Sequence, residues 1–411
     1  MSRLEALTGR EILDSRGSPT LEATARLASG AVGVAAVPSG ASTGKHEALE
    51  LRDKDSRFHG KGVTKCIRHL SETLLPGLSN ADPLDQSGFD QILIDLDGTP
   101  NKSKLGANTL LGTSLAVARA VAAEKKISLV EHLRACYGRP PGCDQPPVPM
   151  MNVINGGVHS AAGLSIQEFM IVPLGLTDPK DAVRAGSEVY HTLKILLRQR
   201  GMSVDVGDEG GFAPRLPNSV SGLELLAGAI EQSGYRAGRE LSLGLDCAAS
   251  QFFSDKGYWL DGKAYSHDGL TKLYASWSAR FPILSIEDGF AEDDWPAWID
   301  GTSRLGAHTL LIGDDLLVTH TALLKKAIAQ KAGNVILIKP NQVGTLTETL
   351  ECIRTAHQAG WKTIISHRSG ETTDTFIVDL AVAVGAWGLK AGAPCRGERT
   401  VKYNRLMEIA G

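Results

Sequence analysis

The segment NVILIKPNQVGTLTETLECIRTAHQAGWKTIISH, residues 334–367, contains two apolar runs that end on Lys339 and His367, 28 residues apart. That spacing suits one strand, one helix and two loops, which is the repeating unit of a parallel α/β barrel. Other apolar runs of the C-terminal half end in the same way on polar residues, namely Asp246, Glu287, Asp314 and Lys390. The strand ends of such a barrel converge on one face, so these side chains are predicted to share a pocket. This pattern indicates an enzyme.

The bulk composition narrows the class of protein. A chain of 411 residues is longer than a usual single core, so two domains, or a barrel with an extra domain, are expected. The net charge of −3 gives no electrostatic reason to expect nucleic acid or an anionic membrane as a partner. The six cysteines show no CxxC spacing and the N-terminus has no apolar signal core, so we expect reduced thiols in a cytoplasmic protein.

The N-terminal third differs from the rest of the chain in its pattern of apolar and polar residues. PTLEATARL and AVGVAAVP alternate as strands do, whereas SGFDQILIDLDG and LGANTLLGTSLAVARAVAAEKK are typical of helices, the latter with Asn108 or Thr109 as a candidate cap. Five prolines between Tyr137 and Pro149 mark the best domain boundary. We therefore predict an α+β domain over residues 1–137 and a barrel over residues 138–411.

Asp246, Glu287 and Asp314 form a candidate metal site. Three oxygen ligands without histidine or cysteine favour magnesium over zinc, although acidic residues at strand ends also cap the following helices. Lys339 ends an apolar strand, where a charged side chain costs burial energy unless it has a use. A dication and a second lysine nearby would lower its pKa and make it a base; a structural ion pair with one of the carboxylates is the alternative.

Several loop motifs add candidate groups. GDEGG places Glu209 between glycines, and QEF adds Gln167 and Glu168, so two carboxyl groups could neighbour each other and act as a general acid; an acidic turn is the alternative. HRSG supplies His367 with Arg368 and Ser369, which suit a phosphate monoester, unless the arginine lies in a solvated turn. SGASTGK, residues 39–45, is interpreted as a lid rather than a mere turn, and His159 in NGGVH as a loop histidine or a catalytic one.

Together these residues resemble those of the enolase family, the dehydratase of glycolysis. The likeness runs nearly from end to end, through motifs that include DSRGSPT, VPSGASTGKHEALELRD, NVINGGVH, VGDEGGFAP, SIEDGFAEDDW, IKPNQVGTLTETLE and SHRSGET. It implies an α/β protein with an enolase-type (β/α)8 barrel of ββαα(βα)6 order and a smaller N-terminal α+β domain. It also implies a homodimer or an octamer that acts on a small phosphorylated carboxylate.

The resemblance assigns a role to each candidate. It implies that Asp246, Glu287 and Asp314 hold one magnesium ion, and that a second ion arrives with the substrate and involves Ser42 on the lid. Lys339 would remove the C2 proton of 2-phosphoglycerate, and Glu209, supported by Glu168, would protonate the departing 3-hydroxyl. The remaining residues would contact the substrate or line the pocket: Lys390, Arg368, Ser369, His159, Gln167 and His367.

Some positions depart from the family pattern. Val34 stands in place of a usual arginine, Ala391 of a threonine and His320 of an asparagine, and the lid segment SAAGLS, residues 160–165, is small and nonpolar. We expect these positions to lie close enough to the pocket to question the substrate. The alternatives to a working enolase are therefore a paralogue that acts on a phosphonate or phosphoenolpyruvate-like compound, such as carboxyphosphonoenolpyruvate synthase, and a structural or surface-binding protein that keeps the fold.

Overall fold

The computed structural model describes residues 2–40, 44–138, 145–157 and 164–411. Ser42 and His159, two of the predicted site residues, lie outside these ranges. In the described parts of the chain, no helix combines the length and the apolar character that crossing a membrane requires.

The N-terminal part is an antiparallel three-stranded sheet covered by helices. The strands are β1 (Leu4–Leu13), β2 (Pro19–Leu27) and β3 (Val32–Ala36), in the order β1-β2-β3. The helices are α1 (Thr64–His69), α2 (Leu75–Gly77), α3 (Gln86–Asp97), α4 (Ala107–Lys125) and α5 (Leu129–Tyr137), and a π-helical turn (Leu70–Leu74) joins α1 to α2. The small residues of α4 let it approach the sheet closely. A Cβ atom on Gly33 of β3 would lie only 2.0 Å from the carbonyl oxygen of Ala116.

The predicted cap of α4 is wrong. Gly106 is the N-cap residue and no side chain caps the helix. Asn108 lies inside the helix and uses its side chain on another segment instead: its Oδ1 accepts from the Leu51 amide at 3.0 Å and its Nδ2 donates to the Leu51 carbonyl at 3.1 Å. The side chain that sequence assigned to the helix end therefore ties the loop after the lid to α4.

The C-terminal part is a closed barrel, which confirms the predicted fold class. Its strands are β4 (Val148–Asn155), β5 (Glu168–Val172), β6 (Ser242–Asp246), β10 (Ile283–Glu287), β11 (Leu310–Gly313), β12 (Val335–Ile338), β13 (Lys362–Ser366) and β14 (Gly388–Lys390). Within the described residues they run in the order β10-β11-β12-β13-β14-β4-β5-β6. β5 is antiparallel to both of its neighbours and the remaining pairs are parallel.

The helices follow the ββαα(βα)6 order. Two of them, α6 (Pro179–Gln199) and α7 (Ser219–Gln232), separate β5 from β6. One helix then follows each later barrel strand: α8 (His267–Arg280), α9 (Trp295–Leu305), α10 (Thr321–Gln330), α11 (Leu346–Gln358), α12 (Phe376–Val384) and α13 (Gly397–Ile409). A small sheet of β7 (Phe253–Ser254), β8 (Gly257–Leu260) and β9 (Lys263–Tyr265) is inserted between β6 and α8.

Candidate active site

The pleat of the barrel strands directs the polar strand ends into the barrel mouth. Along β12, Val335 and Leu337 belong to the cluster inside the barrel, whereas Ile336 and Ile338 belong to the core shared with the helices. Side chains alternate between the two faces of a strand, so Lys339 continues the inward series. The same period of two, counted from inward-facing Ile312 and Met170, places Asp314 and Glu168 on the inner side.

These ends meet in one cavity. Its lining includes seven carboxyl side chains and three cationic ones, so the predicted convergence is observed for most of the candidates. The lining residues predicted from sequence are Gln167, Glu168, Glu209, Asp246, Asp314, Lys339, His367, Arg368, Ser369 and Lys390. Glu287 is fully buried and joins them through Lys390 rather than through the cavity wall.

Lys390 is the central cation of the acidic cluster. Its Nζ lies 2.8 Å from Glu287 Oε1, 3.0 Å from Glu168 Oε2 and 3.3 Å from Asp246 Oδ2. Burial opposes its charge, but these carboxylates hold the pKa of Lys390 well above the ordinary lysine value. Burial also raises the pKa of Glu287 to about 8, together with the charge of Asp246. The cluster thus gathers negative charge around one position for a cation.

Lys339 forms a short ion pair with Asp314. Burial works to lower the pKa of Lys339, but the carboxylates around it, Asp314 foremost, hold that pKa above its usual value. The expected depression of this pKa is therefore not observed in the chain by itself, because the partner that sequence could not identify is a carboxylate in direct contact. The alternative, an ion pair of Lys339 with one of the predicted carboxylates, is the arrangement observed.

Two acidic residues that sequence reasoning missed complete the region. One carboxylate oxygen from each of Asp288, Asp314 and Asp315 lies within 4.8 Å of the others. The Asp288 carboxylate accepts from the amides of Asp314 at 3.0 Å and Asp315 at 2.9 Å, so it orients the segment after β11. The sequence indicated these two residues, since in IEDG and in GDDL a second acidic residue directly follows the predicted ligand.

The acidic residues present suit a divalent cation. The donors are all carboxylate oxygens, which magnesium prefers. Glu287 Oε2 is buried and has no hydrogen-bond partner among the described residues. A bound cation would give this oxygen a partner. Because Asp288 is already committed to two backbone amides, Asp246, Glu287 and Asp314 are the better ligand candidates. At present their charge is balanced by Lys339 and Lys390.

Glu168 and Glu209 form the expected carboxyl pair, across the barrel from Lys339. Burial, followed by the charge of Glu209, raises the pKa of Glu168 well above its ordinary range. Asn152 Nδ2 donates to Glu209 Oε2 at 3.0 Å, and His367 Nε2 lies 4.0 Å from the same oxygen. A carboxyl pair with a pKa raised in this way suits general acid catalysis.

The phosphate candidates lie where the two domains meet. Arg368 Nη1 lies 3.0 Å from Glu47 Oε2 and 3.0 Å from Asn341 Oδ1, and Ser369 Oγ lies 3.5 Å from Arg16 Nη1. Ser39 and Gly370 form an antiparallel backbone bridge. The Gly44 amide donates to Glu47 Oε1 at 2.9 Å. Both sides of residues 41–43 are thus held at the cavity, although Ser42 itself lies outside the described residues.

Gln167 lies beside the predicted metal ligands. Its Nε2 donates to Asp246 Oδ2 at 3.4 Å, and its Oε1 accepts from Gln251 Nε2 at 2.7 Å. The Gly156 amide donates to the Gln167 carbonyl at 2.8 Å, so the chain that leads to His159 starts next to the cavity. His159 is outside the described ranges.

Three of the positions that depart from the family pattern do not line the described cavity wall. Residues 160–163 of the segment SAAGLS lie outside the described residues. Val34, His320 and Ala391 are absent from the residues that line it within the described chain. Val34 accepts from Arg119 through its carbonyl, and His320 caps α10 by accepting from the Ala322 amide at 3.2 Å. These contacts place Val34 and His320 outside the described wall, and Ala391 is buried directly after Lys390. The influence of the three positions on the substrate stays a prediction.

Comparison with known families agrees with this geometry. A model described as enolase, N-terminal domain, matches residues 4–133, and one described as enolase, C-terminal TIM barrel domain, matches residues 145–411. Members of this family typically use magnesium, and the family supports an enzyme of the lyase, dehydratase type. Since the two matches cover nearly all of the sequence, the chain belongs to the enolase family.

Proposed function

We propose that this protein catalyses the magnesium-dependent, reversible dehydration of 2-phosphoglycerate to phosphoenolpyruvate. The observation that carries the proposal is the placement of a basic and an acidic group on opposite walls of one cavity. Lys339 follows β12, and Glu168 begins β5. In the ring of barrel strands, β12 and β5 are four positions apart in both directions. A proton and a hydroxyl can thus leave from opposite sides of a substrate held between them.

The proton balance uses only groups of the cavity. Lys339 Nζ takes the proton from C2, and the electron pair of that C–H bond forms the C2=C3 double bond. Glu209, which shares a proton with Glu168, protonates the 3-hydroxyl as the C3–O bond breaks, so that water leaves. No oxidant or reductant is required.

Asp246, Glu287 and Asp314 would hold a magnesium ion, and Ser42 would contribute to a second one. Bound magnesium supplies positive charge at the substrate carboxylate and so makes the neighbouring C2 proton more acidic, the lysine-and-magnesium pattern already described for the enolase superfamily. Lys339, at present paired with Asp314, would then be the base that receives this proton.

The rest of the cavity suits the charged groups of the substrate. Arg368 presents a guanidinium at the domain boundary and Ser369 a hydroxyl, which are appropriate for the phosphate. Lys390 is the cation nearest to Asp246 and Glu287, so it would contact the substrate carboxylate. Gln167, His367 and His159 would complete the wall.

The test is a direct assay with 2-phosphoglycerate and magnesium, following phosphoenolpyruvate by its ultraviolet absorbance. We expect turnover of about 1 to 1000 per second, abolished by EDTA. Lys339→Ala should reduce kcat by at least about 100-fold because it removes the base. Lys325→Ala, on the exposed side of α10, is the matched control and should keep wild-type activity.

The proposal would be wrong if the folded, magnesium-binding protein gave no phosphoenolpyruvate. It would also be wrong if Lys339→Ala turned over as fast as Lys325→Ala. In the first case, phosphonate analogues of the substrate would be assayed next.

A further inference from the structure

Arg399, on α13, is a buried residue that is not part of the described cavity lining. Its side chain is 0% exposed and its guanidinium reaches acceptors on both sides of the cavity floor. Nη1 lies 2.5 Å from His367 Nδ1 and donates to the Arg368 carbonyl at 2.7 Å. Nη2 donates to the carbonyls of Ser369 at 2.7 Å and Asp208 at 3.2 Å. One side chain therefore fixes the HRSG segment against the loop that carries Glu209.

The contact with His367 determines where the imidazole carries its hydrogen. A guanidinium has only donors and stays charged in proteins. His367 Nδ1 must therefore present its lone pair, which places the single ring hydrogen on Nε2. A flipped ring would set a carbon atom against Nη1 and leave a buried guanidinium hydrogen without its acceptor. A doubly protonated ring would bring an N–H group against another donor.

The surroundings of His367 favour the same state. The ring is buried, and four charged groups face it. They are Arg399 and Lys402 of α13, Lys390 at the end of β14, and Glu209 from the loop between α6 and α7. Burial is the largest cause that lowers the pKa of His367 well below the usual histidine value; the three cations add to it and Glu209 opposes it.

The packing leaves little space for another arrangement. Gly392 has φ +83°, and a Cβ atom there would lie 2.8 Å from the Glu209 carbonyl oxygen, 2.9 Å from Arg399 Cδ and 3.2 Å from His367 Cε1. The imidazole is thus held between the guanidinium and the backbone of Gly392. Its Nε2 is the nitrogen directed toward Glu209 Oε2, 4.0 Å away.

We propose that Arg399 is a positioning residue that fixes His367 as a neutral imidazole with its hydrogen on Nε2, so that His367 acts only as a hydrogen-bond donor beside Glu209. The consequence for turnover rests on the proposed function; the state of the ring does not. The proton delivered to the leaving hydroxyl then comes from the Glu168–Glu209 pair, and His367 orients that pair or the departing water without exchanging a proton.

The first experiment records the ring nitrogens of histidine in the uniformly 15N-labelled wild-type protein, with the signals of His367 identified by their loss in His367→Gln. Between about pH 5.5 and 8.5, a range that brackets the ordinary histidine pKa of ~6.5, we expect His367 to keep a protonated Nε2 and an unprotonated Nδ1. Exposed His308 serves as a reference in the same spectra. A protonated Nδ1, or an imidazolium signal for His367 within this range, would overturn the proposal.

The second experiment changes the donor. In Arg399→Met we expect His367 to become protonated as the pH falls, so that activity decreases at acid pH where the wild-type protein keeps it. We also expect kcat to decrease by about 10- to 100-fold with little change in KM. Arg399→Lys, which keeps a donor, should restore the wild-type tautomer in part. Arg405→Met, on the same helix but paired with Asp379, is the control and should change neither the His367 signals nor the pH profile.

The two proposals can fail separately. The spectra of the free protein require no substrate, so a protonated Nε2 in a protein that makes no phosphoenolpyruvate would reject the proposed function alone. If Arg399→Met does not fold, the wild-type titration still decides the state of His367. An Arg399→Met protein that folds, retains the Nε2 hydrogen and keeps the wild-type pH profile would show that Arg399 does not position the ring.

Discussion

Lys402 forms a buried ion pair with Glu371, which directly follows the HRSG segment, residues 367–370. Removing one partner gives a quantitative test of how burial affects an ion pair. Lys402 is 0% exposed, and its Nζ lies 2.9 Å from Glu371 Oε2. The same ammonium donates to the carbonyls of Thr372 at 3.0 Å and Glu398 at 2.8 Å. Lys402→Met keeps most of the side-chain volume but leaves the Glu371 carboxylate and two carbonyls without this donor.

Loss of one partner of a buried pair costs about 3–5 kcal/mol. Glu371 also accepts from the amides of Arg368 at 3.1 Å and Thr372 at 3.0 Å. Because these bonds remain, we expect the lower part of that range, about 3 kcal/mol in the free energy of unfolding. Adding Glu371→Gln to Lys402→Met removes the uncompensated charge and should recover part of the loss.

The measurement is equilibrium urea unfolding followed by circular dichroism. One apolar core spans both domains, so a single main transition is expected. The matched control is Lys272→Met, which breaks an ion pair of 2.7 Å whose side chains are 68% and 49% exposed, and it should leave the midpoint nearly unchanged. Equal midpoints for Lys402→Met and Lys272→Met would refute the argument that burial gives the pair its effect.

Two further predictions concern magnesium and pH. Magnesium at about 100 times its Kd should stabilise the wild-type protein by ~2.7 kcal/mol. Glu287→Gln should lose most of this stabilisation in thermal unfolding, whereas Asp293→Asn, at an exposed position, should keep it. An equal shift in both variants would contradict the ligand assignment. Burial lowers the pKa of His132 from 6.5 to about 4, so its contribution to stability is complete above pH 6.5 and is lost as the pH falls toward 4. At pH 5 this group should cost the wild-type protein about 1–2 kcal/mol relative to pH 7, and His132→Gln should show a smaller loss in urea unfolding; the same loss in both proteins would exclude His132 as its source.

The sequence alone determined the barrel and most of the polar groups at its mouth. Apolar runs of four to six residues that end on Asp246, Glu287, Asp314, Lys339 and His367 show both the strand period and the place where each strand stops. The period of two fixes which end residues face inward, since side chains alternate across a strand. This information is local, so it can be read along the chain.

Only the tertiary structure decided which of those groups touch. Lys339 pairs with Asp314 and not with Asp246, Arg368 lies against Glu47 from the other domain, and Arg399 contacts the ring of His367, 32 residues away. Asn108, predicted as a helix cap, contacts a loop 57 residues earlier in the chain. These pairings depend on distances across the barrel and across the domain boundary, and ionisation follows from such distances and from burial, neither of which a local pattern contains.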